Sequence, residues 1–404
     1  MKNLEEWKDA HEAMDVFPVL EKLYIRDCPQ LTTIPTPSRF PSLDVLEIKE
    51  NCHVLLVENV LRSIANLSSL KLRGGRQRMV SLNSVIRSES SLSIDGCDSL
   101  PTDMLERLCL FPILQRVELR RCPNITTLRG MSCAACLKRL LVIDCVNLRN
   151  ELPEDLYQFE ALEHLEITGC PKIDSFGSNP NKGQKSLLKS LEQIFIVECD
   201  GLTRLPVEMF ESCTSLRKLG LFNCPNLVSF PLDLRRTPSL ERFSIQECHK
   251  LITEMPSGFG YLTSLRKVEI GPVSDYSVME FDWAGLASSS TLQHVNLRGM
   301  RDTKSLPHQL QHLTNITSLR LQHFGAIEAL PDWLGNLASL EELFLWNCKK
   351  LEYLPSIAVM ERLKLKRLEI GYCPLLGERC TPQSGSEWTK ISNIPERIRN
   401  YKSF

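Results

Sequence analysis

At 404 residues the chain is longer than one compact core usually spans, and its 43% hydrophobic content leaves ample material for burial. A formal net charge of −1 excludes the global basic excess of a nucleic-acid or anionic-membrane binder. No stretch reaches the ~18 apolar residues of a membrane span, and the acidic, polar run Met1-Lys2-Asn3-Leu4-Glu5-Glu6-Trp7 has no apolar signal-peptide core behind it.

The dominant pattern is a unit reading L-x-x-L-x-I/L-x-x-C-x-x-L, as in Leu20, Leu23, Ile25, Cys28, Leu31 and again in Leu216, Leu219, Leu221, Cys224, Leu227. Its first positions run Leu20, Leu43, Leu67, a degenerate copy near Glu89, Leu114, Leu137, Leu162, Leu191, Leu216, Leu240, Leu265, Leu292, Ile316, Leu340 and Leu365. Steps range from 22 residues (Leu67 to Glu89) to 29 (Leu162 to Leu191). In L-x-x-L-x-L the last two apolar positions alternate with variable ones, which is a short strand with one buried face. Strands repeated in one direction form a parallel sheet. Between them the chain often reads L-P-x-x-L, as at Leu152-Pro153-Glu154-Asp155-Leu156, Leu306-Pro307-His308-Gln309-Leu310 and Leu330-Pro331-Asp332-Trp333-Leu334. Proline suits the first turn of a helical segment, so these are short helical or 3₁₀ returns. The pattern predicts an α/β leucine-rich-repeat solenoid, a right-handed horseshoe of about fifteen repeats, with the parallel sheet on its concave face and the helical pieces on its convex face.

Gly74-Gly75-Arg76-Gln77-Arg78 breaks the third unit, and the polar segment Ser178-Asn179-Pro180-Asn181-Lys182-Gly183-Gln184-Lys185 lengthens one step. Residues 1–18 read as a partial repeat or a junction to an upstream domain, 19–380 as the array, and 381–404 as a polar, irregular C-terminal cap or tail. The start has no polar capping unit, so an upstream domain is expected to cover it.

Ten of the sixteen cysteines (Cys28, Cys97, Cys122, Cys145, Cys170, Cys199, Cys224, Cys248, Cys348 and Cys373) hold one position of the repeat. They are expected to stack as compact apolar filler with thiols pointing alike, and to stay reduced in cytosol or nucleus. Cys133-Ala134-Ala135-Cys136 lacks the further ligands a zinc site needs, as does His308-x-x-x-His312, so no metal is expected. The triplets starting at Asn66, Asn124 and Asn315 lie beside core positions and read as scaffold rather than glycan acceptors. No catalytic arrangement can be placed by the register, and neither an enzyme nor a cofactor is expected.

The end of the chain, Cys373-Pro374-Leu375-Leu376-Gly377-Glu378-Arg379-Cys380 followed by Glu387-Trp388-Thr389-Lys390-Ile391-Ser392-Asn393-Ile394-Pro395, carries a family likeness. So do Leu4-Glu5-Glu6-Trp7, the run from Phe17-Pro18 to Leu31, and the recurrent Cys-Pro-x-Leu or Cys-Pro-x-Ile at Cys122, Cys170 and Cys224. These residues resemble the leucine-rich-repeat region of plant nucleotide-binding disease-resistance proteins of the coiled-coil class. The resemblance implies a protein-recognition and autoinhibitory module of an intracellular immune receptor. Its implied partners are a pathogen effector or a guarded host protein, and a nucleotide-binding module in cis or in trans. No phosphate loop G-x-x-x-x-G-K-S/T is present, so nucleotide binding does not carry over.

The repeat register also marks which side chains are not scaffold. The first variable column of the strands includes Arg116, Arg139, Lys218, Arg242, Lys267 and Arg367, and the last includes Arg26, Lys49, Arg73 and Arg120, a basic strip in the N-terminal third. Phe195 and Phe222 are expected as exposed strand positions one repeat apart, and Phe344, Trp346 and Tyr372 as one aromatic patch of the kind binding hot spots use. The candidate protein-binding residues are therefore Arg26, Lys49, Arg73, Arg120, Phe195, Phe222, Phe344, Trp346 and Tyr372. Nucleic acid, membrane and small-molecule substrates are not expected as partners. Two other classes remain open: a stand-alone interaction scaffold or ubiquitin-ligase substrate receptor, and an extracellular ectodomain, which free-thiol titration would separate.

Overall fold

In a computed structural model, the described residues are 2–8, 17–35, 42–43, 45–49, 56, 69–73, 90–96, 114–128, 136–149, 159–175, 188–205, 210, 213–228, 232–251, 257–273 and 281–400. They divide into two compact units, one formed by Met1–Leu191 with Phe195–Leu202 and the other by Glu192–Ile194 with Thr203–Phe404.

The first unit holds β1 (Lys22–Arg26), β2 (Val45–Lys49), β3 (Ser69–Arg73), β4 (Ser90–Asp95), β5 (Leu114–Arg120), β6 (Arg139–Ile143) and β7 (His164–Thr168). Residues of β8 (Gln193–Val197) fall in both units. The second holds β9 (Lys218–Phe222), β10 (Arg242–Gln246), β11 (Lys267–Val273), β12 (His294–Gly299), β13 (Ser318–Gln322), β14 (Glu342–Trp346), β15 (Arg367–Gly371) and β16 (Glu396–Asn400). Strand order follows the chain from β1 to β16, and neighbours within each unit pair in parallel. The architecture is the leucine-rich-repeat solenoid the sequence predicts, with sixteen strands among the described residues where about fifteen repeats were expected.

Four local devices recur among the described repeats. Alternation comes first: β7 and β14 bury their second and fourth residues and leave the other three half-covered. Those leucines and isoleucines are fully enclosed, as at Leu165, Ile167, Leu343 and Leu345, and each contributes roughly 1.5–3 kcal/mol by leaving water. At the strand's entrance, two successive N–H groups donate to one carbonyl of the preceding repeat; Glu341 and Glu342 both donate to the Thr317 carbonyl.

The exit is the third device. The residue after the fifth strand position is left-handed at Asp27, Arg121, Asp144, Glu198, Asn223, Glu247, His323, Asn347 and Tyr372, with glycine there at Gly96 and Gly169. Asp, Asn and Gly accept that conformation most readily, which explains their frequency at this step. In this conformation the N–H turns toward the next strand; that of Asn347 reaches the Gly371 carbonyl at 2.8 Å.

The cysteine then opens a tight turn. Leu31, Ile125, Ile173 and Leu227 donate their N–H to the carbonyl of the cysteine three residues earlier, and the following proline pre-sets the φ such a turn needs. Cys-Pro-x-Leu is thus the chemistry of one turn. The thiols of Cys28, Cys122, Cys170 and Cys373 donate to the carbonyl two residues back, at 3.3, 3.1, 3.4 and 3.3 Å. The nine described repeat cysteines are buried and unbridged; Cys97 lies outside the described residues.

Between strands the returns are short: 3₁₀ segments such as His308–His312 and Asp332–Asn336, each preceded by proline, and α-helical turns such as Trp283–Ala287. From β10 to the helical turn after β11 the core leucines are joined by a chain of aromatic rings, Phe243 on Phe259 (5.2 Å), Phe259 on Phe281 (5.1 Å) and Phe281 on Trp283 (4.7 Å).

The C-terminal stretch is more ordered than its polar composition predicts. Helix Trp388–Ile391 and strand β16 occupy it, and β16 pairs with β15 in the register Arg367↔Glu396 through Gly371↔Asn400. At the register position held by Leu368 in β15, β16 carries Arg397. Its guanidinium donates to the carbonyls of Ile391, Ser392 and Ile394 and lies over the Trp388 ring at 5.3 Å. A strand formed on the backbone template of β15 needs no leucines of its own, so leucine counting overlooks it. Glu387, 4% exposed, locks this segment down: its carboxylate accepts from the Leu354 N–H at 2.8 Å and from Lys390 Nζ at 2.7 Å.

Candidate protein-binding face

Counted in the repeat register, the first, third and fifth strand positions are those that alternation turns away from the leucines and isoleucines of the core, as on β7, β8 and β14. Any recognition chemistry must come from these columns, since the second and fourth positions are spent on the core.

On β5 the face is charged, and each of its arginines at this point has a carboxylate partner. Glu118, at the third position, pairs with Arg116 at 3.4 Å and with Arg120 on its other side. The register places Asp95 of β4 opposite Arg120, and Arg121 closes a two-pronged pair on Asp95 at 2.8 and 2.7 Å. Among the expected basic strip, Arg26, Lys49 and Arg73 hold the fifth positions of β1, β2 and β3 in direct register, but the run is interrupted by Asp95 before it reaches Arg120. Arg26 is exposed. The side chains of Lys49 and Arg73 lie outside the described set.

Phe195, at the third position of β8, is half-buried rather than exposed because it leans on His164, ring to ring at 5.8 Å. His164 in turn faces Glu166 at 3.5 Å, and that hydrogen bond holds the Glu166 carboxyl below its usual range. Phe222 ends β9 and is half-buried as well.

The face of β13 to β15 is differently composed. Its third column runs Arg320, Phe344, Glu369 and its fifth column Gln322, Trp346, Gly371. The Arg320 guanidinium lies over the Phe344 ring at 4.6 Å, and Arg367 approaches the same ring at 5.4 Å. Arg367 is already neutralised by Glu369 at 3.1 Å and Glu396 at 3.6 Å. Arg320 is exposed and makes no ion pair among the described residues.

Beside this pair, Trp346 and Tyr372 meet edge to face at 4.8 Å. Tyr372 is the left-handed residue just past β15 (φ 54°), and its ring meets that of Trp346. Gly371 makes this possible: a β-carbon there would run into the Trp346 ring. Phe344, Trp346 and Tyr372 are half-buried, Trp346 and Tyr372 against one another and Phe344 under Arg320.

Two further groups flank this face. Glu269 on β11 is partly desolvated, which opposes ionisation, but hydrogen bonds from Asn296, Ser244 and Lys267 outweigh that and hold its carboxyl below the usual range. His323, the left-handed residue after β13, is pushed down by burial and by the nearby Arg298 charge, and its Nδ1 meets the Asn347 amide at 2.8 Å. Sequence reasoning missed Arg320 and Gly371. Both hold regular column positions, and comparing third and fifth positions on adjacent repeats would have found them.

Cys136 is exposed and Cys133 lies outside the described residues. His308 and His312 are exposed on their 3₁₀ segment. Among the described residues no three His, Cys, Asp or Glu side chains group as metal ligands, and no helix there is long and apolar enough to cross a membrane.

Comparison with known proteins places this face inside a recognised segment. A family described as R13L1/DRL21 LRRs matches residues 308–373, which include β13, β14, β15 and Tyr372. The chain is 28% identical over 208 residues (47% of its length, 14% of the relative's) to Protein SUPPRESSOR OF npr1-1, CONSTITUTIVE 1 of Arabidopsis thaliana. It is 29% identical over 179 residues (44% of its length, 15% of the relative's) to TMV resistance protein N of Nicotiana glutinosa. The chain thus matches only about a seventh of the length of these relatives. Among solved structures, the Leptospira interrogans LRR protein LIC12759 aligns with a TM-score of 0.47 at 18% identity, covering 92% of this chain and 95% of that one. The chain has plant disease-resistance proteins as relatives and carries leucine-rich repeats of the kind found in them.

Proposed function

We propose that this chain is the protein-recognition module of a plant intracellular immune receptor of the coiled-coil class, acting in cytosol or nucleus, and that its β13–β15 face binds a pathogen effector or a guarded host protein. The observation that carries this reading is the fixed cluster of Arg320, Phe344, Trp346 and Tyr372 on a surface the core does not need. Arginine, tryptophan and tyrosine are the residues on which interface energy concentrates, and rigid aromatic side chains lose little entropy when covered. The disease-resistance relatives support the biological setting. Work here is done by shape and charge; no bond is made or broken.

The module also restrains a nucleotide-binding module, in cis or in trans, through the cations of β1 to β3. Arg26, Lys49 and Arg73 follow one another in register, at ~4.8 Å per strand, and would meet an acidic surface. Reversal of Arg26, Lys49, Arg73 and Arg120 to glutamate tests this. The variant should lose a disease-resistance nucleotide-binding module supplied in trans, in a pulldown titrated with salt; retention equal to that of the unaltered chain overturns it. For the recognition face, Trp346→Ala and Phe344→Ala should abolish capture of an effector or host protein that the unaltered chain binds. Full retention by both would remove the β13–β15 assignment.

A further inference from the structure

The β13–β15 face contains one group whose chemistry is incomplete. Arg320 is exposed, its position is set by the Phe344 ring 4.6 Å away, and it has no carboxylate partner among the described residues. The acidic groups around it are otherwise disposed. Glu369 is held by Arg367. Glu269 is held by Ser244, Asn296 and Lys267. Glu342 sits one strand over at the first position, in register with Ser318 rather than Arg320, and forms no ion pair with it. Other cations on this face are neutralised: Arg367 by Glu369 and Glu396, Arg298 by Glu247. Arg320 is therefore an exposed guanidinium resting over an aromatic ring with no carboxylate partner among the described residues, and a planar guanidinium takes a carboxylate in two parallel hydrogen bonds.

The apolar half of the surface has a defined offset from it. Trp346 lies on the neighbouring strand and two residues further along. One strand spacing combined with two residues of rise gives ~8 Å between the two column positions. Alternate side chains of an extended peptide are ~6.7 Å apart on one side of the chain, a separation that long side chains on both partners readily span.

We propose that this face takes an extended acidic peptide segment of its partner, with an Asp or Glu carboxylate on Arg320 and an aromatic or branched apolar side chain two residues away on Trp346 and Tyr372. This rests on the recognition role assigned above to the β13–β15 face. It adds the chemical class of the ligand and its spacing.

The test uses the full chain and a displayed library of random twelve-residue peptides as probe. Enriched peptides are synthesised and titrated by fluorescence polarisation against the unaltered chain and the Arg320→Ala, Arg320→Lys and Trp346→Ala variants. Arg320 and Trp346 are not in the core, and circular dichroism melts confirm that each variant is folded. The expected result is enrichment of Asp or Glu two positions from Trp, Tyr, Phe, Leu or Ile, with affinity falling about tenfold or more for Arg320→Ala and Trp346→Ala. Arg320→Lys should fall nearly as far, because lysine keeps the charge but not the planar fork. Peptides lost with Trp346→Ala but indifferent to Arg320→Ala would overturn the acidic ligand and leave the recognition face standing. No enriched peptide, or peptides indifferent to both variants, would overturn both.

Discussion

The faces of β5 and of β13–β15 use similar materials to opposite ends. On β5, Arg116 and Arg120 share Glu118 and Arg121 takes Asp95, so each arginine already has a carboxylate partner. On β13–β15, Arg320 is stacked on Phe344 instead of being paired, and an aromatic pair lies beside it. The density of arginine is therefore a poor guide to where a partner would bind. What separates the two faces is whether a cation's donors are already filled. A compensated face costs a partner the loss of existing pairs, whereas an uncompensated, pre-positioned arginine adds new hydrogen bonds with little ordering.

The largest expected effect comes from removing the platform beneath either face. Leu345→Ala under β14 and Leu119→Ala under β5 both empty fully enclosed positions. Each should cost roughly 2–5 kcal/mol in denaturant unfolding. If either variant unfolds like the unaltered chain, the scaffold role of the fourth strand position is wrong. Trp346→Ala comes next and separates scaffold from face: about 2 kcal/mol or more of binding free energy should vanish, with a thermal midpoint close to that of the unaltered chain. Gly371→Val should mimic it by pushing the indole off β15, since the new β-carbon meets the Trp346 ring. Overpacking of this kind costs about 1–3 kcal/mol of stability, so binding and melting should both shift.

Acid should affect the second unit through identifiable groups. The Glu269 carboxyl is depressed from 4.5, so its contribution is present above that pH and is lost as pH falls through the lower folded value. His323 is depressed from 6.5; the unfolded chain binds the proton more readily, so stability declines as pH drops below about 6.5. His323→Asn keeps a residue that accepts the left-handed turn and removes the titration. Its unfolding free energy between pH 7 and 5 should vary less than that of the unaltered chain; an identical pH profile would contradict the assignment. The smallest effect is on β5. Glu118→Gln should change stability by about 1 kcal/mol or less, yet leave Arg116 and Arg120 uncompensated. Salt-sensitive retention on an anionic column should rise, converting this face toward the character of β13–β15.

Much of this was legible in the sequence because the repeat constrains each residue many times over. The leucine spacing implies strand, face and register at once, so the alternation of β7 and β14 follows directly. The cysteine position was legible as buried filler, though its partnership with the preceding carbonyl and the Cys-Pro-x-Leu turn needed backbone geometry. β16 was not legible, since it borrows its conformation from β15 and carries Arg397 where β15 carries Leu368. At the site, Phe344 and Trp346 could be read from alternation along one strand. Tyr372 could not be oriented, because its direction depends on a left-handed φ beyond the strand end. The state of a charge is the least legible property of all. Arg120, at a fifth position, and Arg320, at a third, both read in sequence as variable-column cations, and it is the contact with Glu118 in one case and with the Phe344 ring in the other that separates them.

The most direct test of the account is a saturation scan of the full chain displayed on yeast, sorted separately for surface expression and for binding to peptides selected on the unaltered protein. Substitutions at Leu343 and Leu345 should be lost from the expression sort, whereas those at Arg320, Phe344, Trp346 and Tyr372 should express normally and fail only in the binding sort. Binding-specific losses concentrated on the β5 face, or on the helical returns, would contradict the claim that recognition resides in the variable columns of β13 to β15.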